Sequence, residues 1–123
     1  MLLRDMVIAS GNRGKFVEFR DLLAPLGIDL HFGKEMADLE VEETGSSFLE
    51  NATLKAQAWV SCAGMAALAD DSGIEVEALG GRPGIYSARM GEDEKACRDW
   101  LLEALKDQEN RRARYTAALV LAL

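Results

Sequence analysis

The sequence predicts an α/β fold, and three features predict it. A short apolar strand near the N-terminal end runs directly into a glycine-bearing turn and an amphipathic helix. Strand-length apolar segments recur at Ala66 to Ala69, Ile74 to Leu79 and Tyr115 to Leu123. Between them lie segments whose apolar residues return every three or four positions, the period of a helix. With 123 residues, 49% of them hydrophobic and 28% charged, the chain has an ordinary globular composition and enough length to bury a core.

Taken in order, Met6-Val7-Ile8-Ala9 reads as a buried strand and Ser10 to Gly14 as the turn leaving it. Phe16, Phe19, Leu22, Leu23 and Leu26 form a helical stripe that Pro25 and Gly27 end. Ile28, Leu30 and Phe32 alternate with Asp29 and His31, a second strand, and His31 is assigned no role. After the acidic stretch Glu40-Val41-Glu42-Glu43, Ser47 and Glu50 have capping-box spacing. A helix is expected from there to Gly64, its apolar face made of Phe48, Ala52, Ala56, Trp59 and Ala63. Asp70-Asp71-Ser72-Gly73 is expected to join two strands, Gly80 to Gly84 to be a loop, and Glu92 to Lys106 a third helix. The run from Tyr115 to Leu123 predicts a strand inside a sheet, covered on both faces, and so a chain truncated at its C-terminus. No repeat or linker divides residues 1-123, which read as a single domain.

A net charge of −7 argues against a nucleic-acid polymer as partner, since such partners require a basic surface. It leaves room for a small phosphorylated ligand in a locally basic pocket. Met1-Leu2-Leu3-Arg4-Asp5 places a charge pair where a secretory leader needs apolar residues, and no apolar run reaches membrane-spanning length. A soluble, cytoplasmic protein is expected, with no membrane partner. Cys62 and Cys97 lack metal-ligand spacing and read as reduced, buried thiols, although a disulfide between them stays open.

Three constellations carry chemistry. Ser10-Gly11-Asn12-Arg13-Gly14-Lys15 sits between strand and helix, where backbone N–H groups and the helix dipole attract anions and Lys15 adds a charge. It lacks the spacing of a Walker A loop, and a capped helix with an exposed lysine has the same local pattern. Glu43 before a helix and Asp70-Asp71 at a strand end are placed to hold Mg²⁺ or to orient an attacking water. Asp70 to Gly73 also has β-turn composition. Asn51 and Lys55 share a helix face beside the apolar stripe and are expected to look into a cleft, with Lys55 snorkelling from the core edge as the alternative. Arg82 and Arg89 bracket a Gly/Pro loop that could close on phosphates.

Together, four blocks resemble the inosine triphosphate pyrophosphatase family, the non-canonical purine NTP pyrophosphatases. They are Ser10 to Lys15; Glu42-Glu43-Thr44-Gly45 with Phe48 to Ala52 and Leu54 to Ala56; Ala69 to Ile74; and Leu79 to Arg89. The resemblance implies hydrolysis of ITP, dITP and XTP to the monophosphate and pyrophosphate, a Mg²⁺-dependent reaction that cleanses the nucleotide pool. It implies a long mixed β-sheet flanked by helices, a cleft between two lobes, and a homodimer. By motif, Ser10, Gly11, Asn12, Arg13, Gly14 and Lys15 bind the triphosphate, assisted by Asn51, Lys55, Ser72 and Arg89. Glu43 and Asp71 are the implied Mg²⁺ ligands, Asp70 ranks after them, and Asp71 is the implied proton acceptor for the attacking water.

Family members continue for roughly 70 to 80 further residues, within the size of one domain, and that part carries the Gly-Phe-Gly-Tyr-Asp-Pro and Ser-His-Arg segments that read the base. Neither occurs here. A non-catalytic nucleotide-binding remnant is therefore the competing expectation. The Maf-like nucleotide pyrophosphatases share the architecture, but their Ser-x-Ser-x-Arg-Arg opening does not match this loop.

Overall fold

A computed structural model describes residues 3–123. Met1 and Leu2, part of the stretch read against a leader, lie outside the described residues. Contacts divide the chain into two compact units, residues 1–70 with 119–123, and residues 71–118.

The first unit is built on β1 (Asp5–Ile8), which enters α1 (Arg13–Leu23) through the glycine turn. A 3₁₀ turn at Ala24–Leu26 and Gly27, at φ 66°, reverse the chain into β2 (Asp29–Phe32). β2 lies parallel to β1, Asp5 opposite Asp29 and Ile8 opposite Phe32. A short helix, α2 (Gly33–Met36), follows directly. Helix α3 (Phe48–Ala63) then leads into β3 (Ala66–Val76), whose Ala66 to Leu68 pair parallel with Met6 to Ile8. With β4 (Ala113–Ala122) the sheet order is β2-β1-β3-β4.

Strand alternation divides the core of this unit. Met6, Ile8 and Ala66 face Phe16, Phe19 and Leu23 of α1. Val7, Ala9, Ala67 and Ala69 face Ala56 and Trp59 of α3. Because β1 is covered on both faces, its sequence is a continuous apolar run. Small alanines on the α3 side leave room for the single large ring of Trp59. Helix α3 begins and ends as the capping signals predict: Ser47 accepts from the Glu50 N–H at 3.1 Å, and Gly64 caps at φ 67°.

The second unit contains the end of β3, a 3₁₀ turn at Glu77–Leu79, a loop with Gly80 and Gly81 at positive φ, and a 3₁₀ segment Gly84–Arg89. Helix α4 (Glu94–Ala104) follows, capped by Asp93 on the Ala96 N–H at 2.8 Å. Ser87 knits this unit together, accepting from Ile74 N–H at 3.0 Å and donating to the Gly84 carbonyl at 2.6 Å. A Cβ on Gly73 would meet that carbonyl and Ser87, so close approach is what requires glycine there.

Several expectations are corrected. Asp70 to Gly73 is not a turn: β3 runs through it unbroken, Asp70 and Asp71 are only 8% and 7% exposed, and Lys15 meets the charge of Asp70. Residues 77–79 leave the strand, and the third helix is shorter than its apolar pattern. Within this chain β4 stands at the edge of the sheet, Val120 and Ala122 packing on the core and Leu119 and Leu121 exposed, which leaves open the expectation of an enclosed strand in a longer protein. Cys62 is exposed rather than buried, Cys97 is half-buried, and both are free thiols. Among the described residues no helix is long and apolar enough to cross a membrane.

Candidate active site

The turn after β1 is fixed by its own side chains. Ser10 Oγ accepts from the Asn12 N–H at 3.0 Å, and Asn12 Oδ1 accepts from the Lys15 N–H at 3.2 Å as the N-cap of α1. Arg13 and Gly14 occupy the first two helical positions, whose N–H groups have no partner within a helix. No acidic residue lies in that first turn, so the helix itself supplies nothing to offset its positive end; the carboxylates of Glu35 and Asp70 reach Arg13 and Lys15 from other elements.

Lys15 reaches across to Asp70 Oδ2 at 2.8 Å, and Lys55 pairs with Glu43 Oε1 at 3.0 Å. Both pairs are largely shielded from solvent, with side-chain exposures of 35% and 11% in the first and 18% and 27% in the second. One cavity of about 400 Å³ is lined by both pairs together with Ser10 and Gly11. Three lysines (Lys15, Lys34 and Lys55) and four carboxylates (Asp38, Glu40, Glu43 and Asp70) thus border a single space beside a helix N-terminus. The cations suit phosphate oxygens, and the carboxylates suit a hard divalent ion.

Among the described residues, no group of three or more histidine, cysteine, aspartate or glutamate side chains could hold a metal. Glu43 and Asp70 each supply a carboxylate to the cavity wall, the donor type that Mg²⁺ takes together with water and substrate phosphate.

The structure separates the sequence-derived residues into groups. Ser10, Gly11, Lys15, Glu43, Lys55 and Asp70 meet at the cavity. Asn12 and Gly14 shape the turn without lining it, and Arg13 pairs with Glu35 and stacks over Phe32, 5.1 Å from the ring centre. Asn51 is fully buried rather than facing a cleft; its Oδ1 accepts from the Gly45 N–H at 2.8 Å. In the second unit Asp71 is buried on β3, Ser72 Oγ lies 3.1 Å from the Tyr115 hydroxyl, and Arg89 stacks 5.2 Å from the centre of Tyr86.

Sequence reasoning missed Lys34, Asp38 and Trp59 as cavity-lining residues. The available signal was Gly33, immediately after a strand. A Cβ there would stand 2.8 Å from the Ile8 carbonyl and 3.2 Å from the Trp59 ring, so only glycine lets α2 turn back beside the end of β1.

Known proteins resemble this chain in both sequence and fold. The Ham1 family matches residues 6–123. A dITP/XTP pyrophosphatase of Prochlorococcus marinus (strain NATL1A) is 50% identical over 117 residues, covering 95% of this chain and 59% of the relative. The Ham1 protein of Staphylococcus aureus superposes with a TM-score of 0.83 at 39% identity, over 97% of this chain and 63% of that one. A HAM1 protein from Coxiella burnetii gives 0.86 at 36% identity, with the same coverage. The chain therefore spans about three-fifths of the length of these relatives. Match length, identity and fold agree, and the chain belongs to the Ham1 family.

Proposed function

We propose that this chain is the phosphate- and metal-binding part of a nucleoside-triphosphate pyrophosphohydrolase acting on dITP, ITP and XTP. The observation that carries the reading is the cavity lined by Lys15–Asp70 and Lys55–Glu43 beside the N-terminus of α1, whose first turn holds no acidic residue. It is supported by relatives named dITP/XTP pyrophosphatase.

In this reading Ser10, Gly11 and the first-turn N–H groups of α1, with Asn12 and Gly14 shaping the turn, receive the triphosphate oxygens. Lys15 and Lys55 exchange their carboxylate partners for phosphate, and Arg13, Ser72 and Arg89 add contacts. Glu43 and Asp70 of the cavity, and Asp71 as the family resemblance implies, would hold Mg²⁺, which would withdraw charge from the phosphates and acidify water. Asp71 accepts the proton of the attacking water as its oxygen joins the α-phosphorus, and the α–β bridging oxygen leaves with pyrophosphate. The complete protein is a cytoplasmic homodimer and its base-reading residues lie outside this chain.

Pyrophosphate release from ITP and XTP with Mg²⁺ tests the reading. Asp71→Asn should lower the rate by about 10²- to 10⁴-fold, the usual contribution of a general base. Binding of ITP without turnover would instead mark a nucleotide-binding module, and no binding at all would sink both readings.

A further inference from the structure

The loop carrying Glu43 is stitched to the first turns of α3 by three side chains. Glu50 Oε2 accepts from the Ser46 N–H at 2.6 Å and the Ser46 hydroxyl at 3.0 Å. Lys55 holds Glu43 itself. Between them, Asn51 Oδ1 takes the Gly45 N–H at 2.8 Å. A Cβ on Gly45 would stand 2.7 Å from both Asn51 Oδ1 and Glu50 Cβ, so the loop lies directly on the amide.

Asn51 differs from the other two in being wholly buried, with no hydrogen-bond partner for its Nδ2 donor among the described residues. An unsatisfied buried donor costs stability, and an apolar group of the same shape would avoid that cost. What the amide supplies is therefore position. It fixes Gly45, two residues beyond Glu43, in the stretch where the chain turns from the cavity wall into the helix.

We propose that Asn51 is a positioning residue, holding the Thr44-Gly45 backbone so that the Glu43 carboxylate is preset for a divalent cation. The inference rests on the reading of Glu43 as a metal-binding group. Asn51 touches neither metal nor substrate; it acts through the Gly45 N–H. Groups that orient a metal-binding carboxylate in this way typically govern affinity by about 10- to 100-fold.

The test uses the 123-residue chain, Mn²⁺ as the metal probe, and hydrogen exchange of the Gly45 amide. Asn51→Leu keeps the shape and removes the acceptor. The expected result is a folded protein whose Gly45 amide exchanges faster and whose Mn²⁺ affinity falls about tenfold. Asn51→Asp keeps an acceptor for the Gly45 N–H and puts a second carboxyl oxygen where the donor was; burying that titratable group costs stability, but both properties should be retained in the folded protein. A folded Asn51→Leu variant with wild-type Mn²⁺ affinity overturns the proposal. Should Asn51→Leu not fold, Asn51→Asp decides: wild-type affinity and Gly45 protection support the proposal, and a loss as large as that of Glu43→Gln overturns it. If Glu43→Gln itself binds Mn²⁺ like wild type, the metal reading has failed. The Gly45 exchange rate then scores the hold on the loop by itself, and an unchanged rate in Asn51→Leu rejects that hold.

Discussion

Helices α1 and α3 both contribute side chains to the cavity wall, and their N-termini are built in opposite ways. At α3 every local device of self-satisfaction is present: Ser47 caps the Glu50 N–H, Glu50 reaches back to Ser46, and its carboxylate lies in the positive end of the helix dipole. At α1 the cap is Asn12, no carboxylate lies in the first turn, and the charges that appear there are Arg13 and Lys15. One terminus supplies its own anion and stays closed. The other supplies no anion of its own and adds two cations, each met by a carboxylate from another element, a construction that suits the proposed reception of phosphate.

The sharpest way to break this contrast is to remove one of these cations. Lys15→Ala should weaken ITP binding by roughly 10- to 100-fold, the range for a hydrogen bond to a charged group, as measured by calorimetric titration. It also leaves Asp70, only 8% exposed, without its 2.8 Å partner, so Asp70→Asn in the same background should recover lost stability but not lost affinity. Equal affinity in wild type and Lys15→Ala would mean that α1 receives no phosphate.

The corresponding change at α3 should affect stability alone. Ser47→Ala removes the 3.1 Å cap on the Glu50 N–H and is expected to cost about 1 kcal/mol in urea denaturation. ITP affinity should stay within twofold, because the cap itself does not line the cavity. A large loss of affinity in this variant would show that the two termini are not functionally separate.

This contrast was half legible in the sequence. The α3 terminus could be read in advance because a capping box and a terminal glycine act over three or four residues, and both Ser47 and Gly64 do what their spacing predicts. The glycine turn before α1 was legible for the same reason. What failed were features set by distant partners. Asp70-Asp71-Ser72-Gly73 has turn composition, yet the lysine 55 positions earlier lets Asp70 sit in a strand. The burial of Asn51 depends on a loop six residues away folding back on it. Lys34 reaches the cavity only because Gly33 can approach the Ile8 carbonyl. Local chemistry named the ends of the helices, but not which polar residues tertiary packing would enclose.

The smallest expected effect concerns acid. The Ser46 backbone N–H, and then its hydroxyl, hold the Glu50 carboxyl below the ordinary glutamate range. Glu75, in the second unit, is held down in the same direction by the Thr116 hydroxyl and then by Arg114. For each, the unfolded chain binds protons more readily than the folded one. Stability therefore rises with pH through the window between the depressed pKa and the ordinary value of about 4.3. The contribution is complete above that value and is lost as pH falls through the depressed one. Glu50→Gln should flatten part of the acid limb of a plot of urea midpoint against pH, and Glu50→Gln with Glu75→Gln should flatten more. The α1 terminus, with no first-turn carboxylate, contributes nothing of this kind. An acid limb unchanged in the double variant would mean that the Ser46–Glu50 contact confers no preference for the ionised carboxylate in solution, and the closed character of the α3 terminus would then rest on Ser47 alone.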